Sequence, residues 1–101
     1  MATSLTLDIV SRDGAFSLVA AGEIDMSNIE AFNERLAAGI KESAANGATL
    51  IVDLGAVTYL DSTAITALFG EADGIEIIAH PHLMDVLTVS GLAEMVTIEP
   101  A

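Results

Sequence analysis

Two short polar segments of this 101-residue chain carry the residue types that could support chemistry. One is Gly-Glu-Ile-Asp at residues 22–25, and the other is Asp-Ser-Thr at residues 61–63. Asp61 is a good N-cap for an apolar helix, which would place Ser62 at the first helical position with its hydroxyl free. A phosphate on Ser62 would then meet backbone N–H groups and the positive end of the helix dipole. This position makes Ser62 a candidate for phosphorylation.

Both segments also have an ordinary structural interpretation. Asp-Ser-Thr before an apolar helix is a common capping sequence, and Asp25 has the usual placement of an acid just before a helix. In open α/β sheets, sites form beyond the carboxyl ends of the strands, and both segments follow predicted strands. The residues by themselves therefore identify a candidate rim, formed by Asp25 and residues 61–63, and leave its role open.

The other candidates for catalysis or metal binding are weaker. His80 and His82 form an H-x-H pair, but no third ligand stands at a recognisable spacing. Asp25 and Asp61 could share Mg²⁺, although two acids on one rim are little evidence for such a site. The sequence contains no G-x-S-x-G motif of a hydrolase. We therefore expect no enzymatic activity, no metal site and no cofactor, and we expect both histidines to be solvated.

The charge composition excludes several classes of partner. Fifteen acidic residues stand against three bases, the widely spaced Arg12, Arg35 and Lys41, which gives a net charge of −12. Binding to nucleic acid needs clustered Lys and Arg, so direct contact with it is not expected, and anionic membrane surfaces are disfavoured for the same reason. The sequence has no cysteine, no apolar run of membrane-spanning length and no signal-peptide pattern. We expect a cytoplasmic protein without membrane insertion, whose partners are neutral or basic proteins.

Hydrophobic periodicity predicts the elements that must position the candidate rim. Alternating residues near the start predict two strands, joined by a hairpin turn at the Asp-Gly of residues 13–14. A capping box of Ser27 and Glu30 would begin the first helix, and Asn-Gly at residues 46–47 would end it. Four apolar residues at helical spacing mark the buried face of this helix: Ile29, Phe32, Leu36 and Ile40.

The second half of the chain alternates strands and helices. An apolar run over 49–54 is typical of a strand covered on both faces, and a loop is expected over 55–60. The later predicted elements are a short helix from about residue 61 to 69 or 71, a strand over 75–79, a helix starting at Pro81 and capped by Gly91, and a last strand over 95–98. The order ββ-α-β-α-β-α-β predicts an α/β fold, a mixed sheet with helices packed against it, in a single domain over 1–101.

Three segments resemble one known family, the STAS domains of bacterial anti-sigma-factor antagonists. The stretch VDLGAVTYLDSTA at residues 52–64 looks like the central motif of that family. Residues 22–25 resemble its G-E-[LI]-D segment, and residues 80–92 resemble the segment that ends in L-x-x-[ST]-G-L. The three matches agree in order and spacing and span essentially the whole chain.

The resemblance implies a regulatory switch that works by protein binding. In family members of the antagonist type, the serine after the aspartate is phosphorylated by an anti-sigma factor that is a serine kinase of the histidine-kinase-like ATPase type. The unmodified antagonist binds that kinase, and the phosphorylated form is released. Carried over by position, Ser62 is the phosphoacceptor, Asp61 its preceding acid, Thr63 a neighbouring hydroxyl and Asp25 an acid near the acceptor. The kinase would supply ATP and metal, so the chain itself needs no cofactor.

A second function is compatible with the same resemblance. STAS domains also occur as non-enzymatic subunits of transporter complexes, including lipid-transport ABC systems. Two departures from the antagonist pattern favour this alternative: Ala64 replaces a glycine that many relatives have, and the span from Ser62 to the Asp-Gly at residues 73–74 is short. A neighbouring gene for an ABC permease or ATPase would favour the transport function, and a neighbouring kinase gene would favour the antagonist.

Overall fold

The fold is taken from a computed structural model that describes residues 4–101. The chain begins with a hairpin of two antiparallel strands, β1 (Leu5–Arg12) and β2 (Ala15–Ile24). Asp13 and Gly14 form the turn with φ of 54° and 82°, and both left-handed values suit the two-residue turns that match strand twist. The predicted hairpin at residues 13–14 is therefore confirmed.

Helix α1 (Ile29–Ala45) follows β2, and of the predicted apolar face Phe32 and Leu36 are buried while Ile29 and Ile40 are half-buried. Its N-cap is Asn28, so the predicted capping box of Ser27 and Glu30 is wrong. The reason is local competition, because Asp25 Oδ1 accepts hydrogen bonds from both the backbone N–H and the hydroxyl of Ser27. The helix ends at Asn46 and Gly47, the latter at φ 68°, where Asn-Gly was expected to end it.

Strand β3 (Leu50–Leu60) is longer than predicted. The segment 55–60, expected to be a loop, continues the strand, because β2 pairs in parallel with β3 as far as Ile24 opposite Leu60. The pairing is interrupted by two register shifts, and Gly22 has a φ of 111° between them. The extension brings the residues that follow β2 and β3 to the same edge of the sheet.

The remaining elements follow the predicted order, and the strand over 75–79 has the predicted bounds. They are α2 (Ser62–Gly70), β4 (Ile75–Ala79), α3 (Met84–Val89) and β5 (Ile98–Pro100). The predicted third helix begins with a 3₁₀ turn at Pro81–Leu83, and Gly91 adopts the expected left-handed conformation after α3. The last strand starts at Ile98, later than the predicted 95–98, because residues 92–94 form another 3₁₀ turn and Val96 is buried in the core.

The five strands lie in sequence order, with β1 antiparallel to β2 and all other neighbours parallel. This mixed sheet with helices packed against it confirms the predicted fold class. The core lies on one face, where alternate strand residues such as Leu18, Val52 and Ile77 are buried. Ile51 and Asp53 point to the other face and stay partly exposed, so the expectation that residues 49–54 are covered on both faces is wrong. Within residues 4–101, no helix is long and apolar enough to span a membrane.

Candidate functional site

The candidate rim is formed where β2 and β3 end side by side. Ile24 lies opposite Leu60, and the backbone N–H of Asp61 donates to Ile24 O at 3.1 Å. Asp25 and Asp61 therefore follow paired residues of neighbouring parallel strands. The structure brings the two predicted segments, 22–25 and 61–63, to one edge of the sheet.

Asp61 caps α2 and also holds the loop that follows β2. Its Oδ1 accepts hydrogen bonds from Thr63 N at 3.0 Å, Ala64 N at 3.1 Å and Thr63 Oγ1 at 2.5 Å. Its Oδ2 accepts one from Met26 N at 3.2 Å. Both carboxylate oxygens are thus used, one by the helix and one by the loop. Asp61 is the residue that joins the two halves of the rim.

These hydrogen bonds favour the ionised form of Asp61. The Thr63 hydroxyl contributes most to lowering the pKa of Asp61, partial desolvation acts in the opposite direction, and the backbone N–H groups of Ala64, Thr63 and Met26 lower the pKa further. The net result is a pKa below the usual value for aspartate. The rim therefore keeps a fixed negative charge beside Ser62 across the physiological pH range.

Ser62 is the first residue of α2, and its side chain is exposed. In the part of the chain that the structure describes, its hydroxyl makes no hydrogen bond, whereas the half-buried Thr63 donates its hydroxyl to Asp61. One sequence-based expectation needs correction here. The start of the helix was expected to offer backbone N–H groups to a phosphate on Ser62, but two of these groups, those of Thr63 and Ala64, are already bonded to Asp61. A phosphate that used these two amides would have to displace the Asp61 carboxylate.

Asp25 shapes the loop between β2 and α1. Its Oδ1 accepts from Ser27 N at 2.9 Å and from Ser27 Oγ at 2.5 Å. Asn28 braces the same loop, because its Oδ1 accepts from Asp25 N at 3.0 Å and its Nδ2 donates to Glu23 O at 2.9 Å. The loop is tied to α2 through Met26 N and Asp61. The sequence motifs identify Asp25 but not Asn28. The only feature of the sequence that could have pointed to Asn28 is that asparagine is a common N-cap residue.

The two histidines brace the end of β3 next to the rim. His82 Nε2 donates to Thr58 O at 2.9 Å, and His80 Nδ1 accepts from the backbone N–H of His82 at 3.1 Å. Both side chains are exposed, as expected, but they are also hydrogen-bonded, which the expectation of simple solvation did not include. A group of three His, Cys, Asp or Glu side chains that could hold a metal ion is not found among residues 4–101.

Two large apolar side chains are exposed next to the rim in sequence. Met26, which follows Asp25, is 76% exposed, and Tyr59, two residues before Asp61, is 50% exposed. A shallow depression of about 300 Å³ lies between α1 and α2. Its lining residues are Ile29, Asn33, Ser62, Thr63, Thr66 and Ala67. The combination of one free hydroxyl, one fixed charge and exposed apolar side chains is suited to binding a protein.

Comparison with known proteins identifies one family model and several solved structures that are similar to this chain. A family model described as STAS domain matches residues 6–101. A crystal structure of an anti-sigma factor antagonist from Mycobacterium paratuberculosis is similar, with a TM-score of 0.84 and 24% identity over 97% of this chain and 87% of that one. No curated protein gave a significant match.

Two structures of the anti-sigma factor antagonist SpoIIAA have the same fold. The match to the unphosphorylated form has a TM-score of 0.69 and 19% identity, and it covers 97% of this chain and 88% of that chain. The match to the phosphorylated form, described as a Bacillus cell fate determinant, has a TM-score of 0.61 and 20% identity. It covers 97% of this chain and 91% of that chain. At these identities the likeness establishes the fold.

Proposed function

The chain belongs to the STAS domain family, and from this premise we propose that it acts as an anti-sigma-factor antagonist in the cytoplasm. In this proposal the unmodified chain binds an anti-sigma factor that is a serine kinase of the histidine-kinase-like ATPase type. Phosphorylation of Ser62 releases it. The chain is the substrate of that kinase and has no enzymatic activity of its own. The names of its structural neighbours support the class of partner.

The observation that carries the proposal is the different environment of the two neighbouring hydroxyl groups, those of Ser62 and Thr63. The Thr63 hydroxyl is bonded to Asp61, and the exposed Ser62 hydroxyl is free among the residues described. Ser62 is therefore the accessible acceptor. Its Oγ would form a bond to the γ-phosphorus of ATP as the bond from that phosphorus to ADP breaks, and a base of the kinase would take the hydroxyl proton.

The other predicted site residues support the surface around Ser62. Asp61 and Thr63 hold the start of α2, and Asp25 fixes the loop that presents Met26. We propose that the partner contacts this loop and the start of α2, with Met26 and Tyr59 as its apolar contacts. Asp25, Asp61 and Thr63 then contribute to binding chiefly by fixing the shape of the surface.

The release step has a physical basis in the same contacts. A phosphate adds about −1.5 to −2 charges at pH 7, next to the Asp61 carboxylate. The amides of Thr63 and Ala64 are bonded to Asp61, Arg12 lies at the opposite end of β2, and Arg35 and Lys41 lie beyond the first turn of α1. The new charge is therefore poorly neutralised within the chain, and it stands in the middle of the proposed contact surface.

Phosphate mapping tests the proposal. We expect incubation with the candidate kinase and ATP to add one phosphate to the intact chain, and peptide mapping to locate it on Ser62. The matched controls are Ser62→Ala, which should remain unmodified, and Thr63→Val, which should still be modified. An unmodified wild-type chain, with a kinase shown to be active on another substrate, would contradict the proposal.

Two observations favour a transporter subunit as the second candidate. Helix α2 has only nine residues, and Ala64 is a buried core residue where many antagonists have glycine. A short α2 reduces the surface next to Ser62 on which a kinase could dock. Identification of the proteins that co-purify with the chain from native lysate separates the two functions. An antagonist should co-purify with an anti-sigma factor, and a transporter subunit should co-purify with a component of an ABC transporter.

A further inference from the structure

The second face of the sheet carries a stripe of apolar side chains that the helices do not cover. The strand register places Val10 beside Ser17, Ser17 beside Ile51, Val19 beside Asp53, and Asp53 beside Ile78. The apolar members of these rows lie diagonally to one another on β1, β2, β3 and β4. Together Val10, Val19, Ile51 and Ile78 form a zigzag across four strands, here called the outer stripe.

The outer stripe remains accessible to solvent. Val10 is 45% exposed, and the other three side chains are half-buried, while their strand neighbours on the helix side, such as Leu18 and Val52, are fully buried. Two shallow depressions, of about 490 and 100 Å³, follow the stripe and share Ile51 as a lining residue. The stripe thus contributes to the lining of both depressions.

Acidic side chains lie between and beside the residues of the outer stripe. Asp8, Asp53, Glu76 and Glu99 occupy the same face, and the register interleaves them with the apolar residues. Arg12 is the base on this face, at the end of β1. A second copy of the chain would bring two acidic faces together, so the charge disfavours self-association here. Charge complementarity instead selects an occupant with Lys and Arg beside an apolar ridge.

The dimensions fit a short helix. Strands lie about 4.8 Å apart, so the stripe from β1 to β4 spans about 14 Å, which corresponds to about ten residues of α-helix at 1.5 Å per residue. Apolar residues at i, i+3 or i+4, and i+7 would follow the stripe, and basic residues on both sides would meet the carboxylates. We propose that the outer stripe and its carboxylates form a docking surface for a basic amphipathic helix of another protein.

This surface is separate from the Ser62 rim. The rim lies at the carboxyl end of β3, and Ser62 begins a helix on the opposite face of the sheet. Val10 and Ile51 lie near the other end of the strands, opposite or beside Ser17 at the start of β2. Docking on the outer stripe would therefore leave Ser62 accessible, and it is independent of the proposed phosphorylation.

The test uses the full chain and a synthetic peptide of 14 residues, with Leu on one helical face and Lys on the other. A peptide of the same composition in scrambled order lacks the apolar ridge and serves as the control. We expect the amphipathic peptide to bind at least tenfold more tightly. In ¹H–¹⁵N spectra the shifts should fall on Val10, Val19, Ile51 and Ile78 and on their strand neighbours.

Matched charge variants separate docking from general attraction to an acidic protein. Glu76→Lys with Glu99→Lys changes the flanks of the stripe, and Glu34→Lys with Glu42→Lys makes the same change on exposed positions of α1. We expect the first pair to weaken binding at least tenfold and the second pair to have less than a threefold effect.

Four results would overturn the proposal, provided that circular dichroism shows each variant folded. They are equal losses in both pairs of variants, equal binding of the scrambled peptide, shifts centred on α1 or α2, and dimerisation through the stripe in light scattering. The first two would indicate nonspecific charge attraction. The last two would assign another site or another occupant.

Discussion

The Asp61 carboxylate determines which hydroxyl of the rim is available. One of its oxygens holds Thr63 and Ala64, and the other holds the backbone of Met26. Thr63 is thereby committed to the structure, and Ser62 is left on the surface. A substitution of Asp61 would loosen the start of α2 and the loop after β2 at the same time.

The pH dependence of stability should reveal this carboxylate. The pKa of Asp61 is lowered in the folded chain, above all by the Thr63 hydroxyl, so the folded state binds the proton less readily than the unfolded state. The stabilisation is therefore present above about pH 4 and is lost as the pH falls through the lower folded pKa. In urea unfolding, we expect the advantage of wild type over Asp61→Asn to shrink as the pH falls from about 6 to about 2.5.

Thr63→Val removes the hydroxyl that contributes most to lowering the pKa of Asp61, and it provides the control for this titration. In a chain that carries Thr63→Val, the effect of Asp61→Asn on stability should change less over the same pH range. A constant difference between wild type and Asp61→Asn would show that the carboxylate is not held in its ionised form by folding.

The contacts of Asp61 also show what sequence could predict at this scale. Its capping of α2 was predictable because an N-cap bonds to residues within three positions along the chain. Its bond to Met26, 35 residues away, depends on the pairing of β2 with β3 and has no local signal. At the start of α1, Ser27 and Asn28 are both residue types that cap helices, and the S-x-x-E spacing pointed to Ser27, whereas Asn28 is the N-cap.

At the scale of elements, the length of β3 positions the rim. Residues 55–60 pair with β2 alone, since β4 pairs only as far as Leu54. This segment contains Gly55 and exposed polar residues, which is why its sequence was typical of a loop. The pairing with β2 overrides that preference, and the strand continues to the residue before Asp61. The order of elements was predictable from periodicity, whereas this extension required the partner strand.

Gly22 permits the register shift that makes the extension possible. It has a φ of 111°, and a Cβ at this position would lie within 2.2 Å of Ser4 O. We expect Gly22→Ala to lower the free energy of unfolding by about 2–3 kcal/mol, because the left-handed conformation and the backbone contact are both penalised. Urea unfolding monitored by circular dichroism measures the change.

Gly70 provides the matched control, since a Cβ there would meet no atom within 4 Å and its φ is not left-handed. Gly70→Ala should change the free energy of unfolding by less than about 1 kcal/mol. Equal stability of Gly22→Ala and wild type would show that the shift between β2 and β3 does not depend on this glycine.

At the scale of the whole molecule, the net charge of −12 affects both surfaces. It disfavours polyanions as partners, it disfavours self-association through the outer stripe, and it leaves few bases to neutralise a phosphate on Ser62. These expectations follow from the composition, because they depend only on counts of charged residues. The separation of the rim from the outer stripe depends on strand register, which no count of residues reveals.

The same charge should make stability depend on salt. Self-repulsion among the acidic residues weakens as the Debye length falls from about 20 Å or more at low ionic strength to below 5 Å. We expect the midpoint of thermal unfolding to rise by about 2–5 °C between 20 mM and 0.5 M NaCl, with a similar rise in KCl. A fall in the midpoint would show that favourable charge pairs outweigh the repulsion.

The affinity of the chain for its anti-sigma factor kinase, with and without phosphate on Ser62, tests the proposed switch most directly. Chain carrying phosphoserine at position 62 is compared by calorimetry with wild type and with Ser62→Ala, after circular dichroism shows all three folded. The proposed switch predicts that wild type and Ser62→Ala bind within about threefold of each other and that the phosphorylated chain binds at least about 30-fold more weakly. Equal affinity of the phosphorylated and unmodified chains would contradict it.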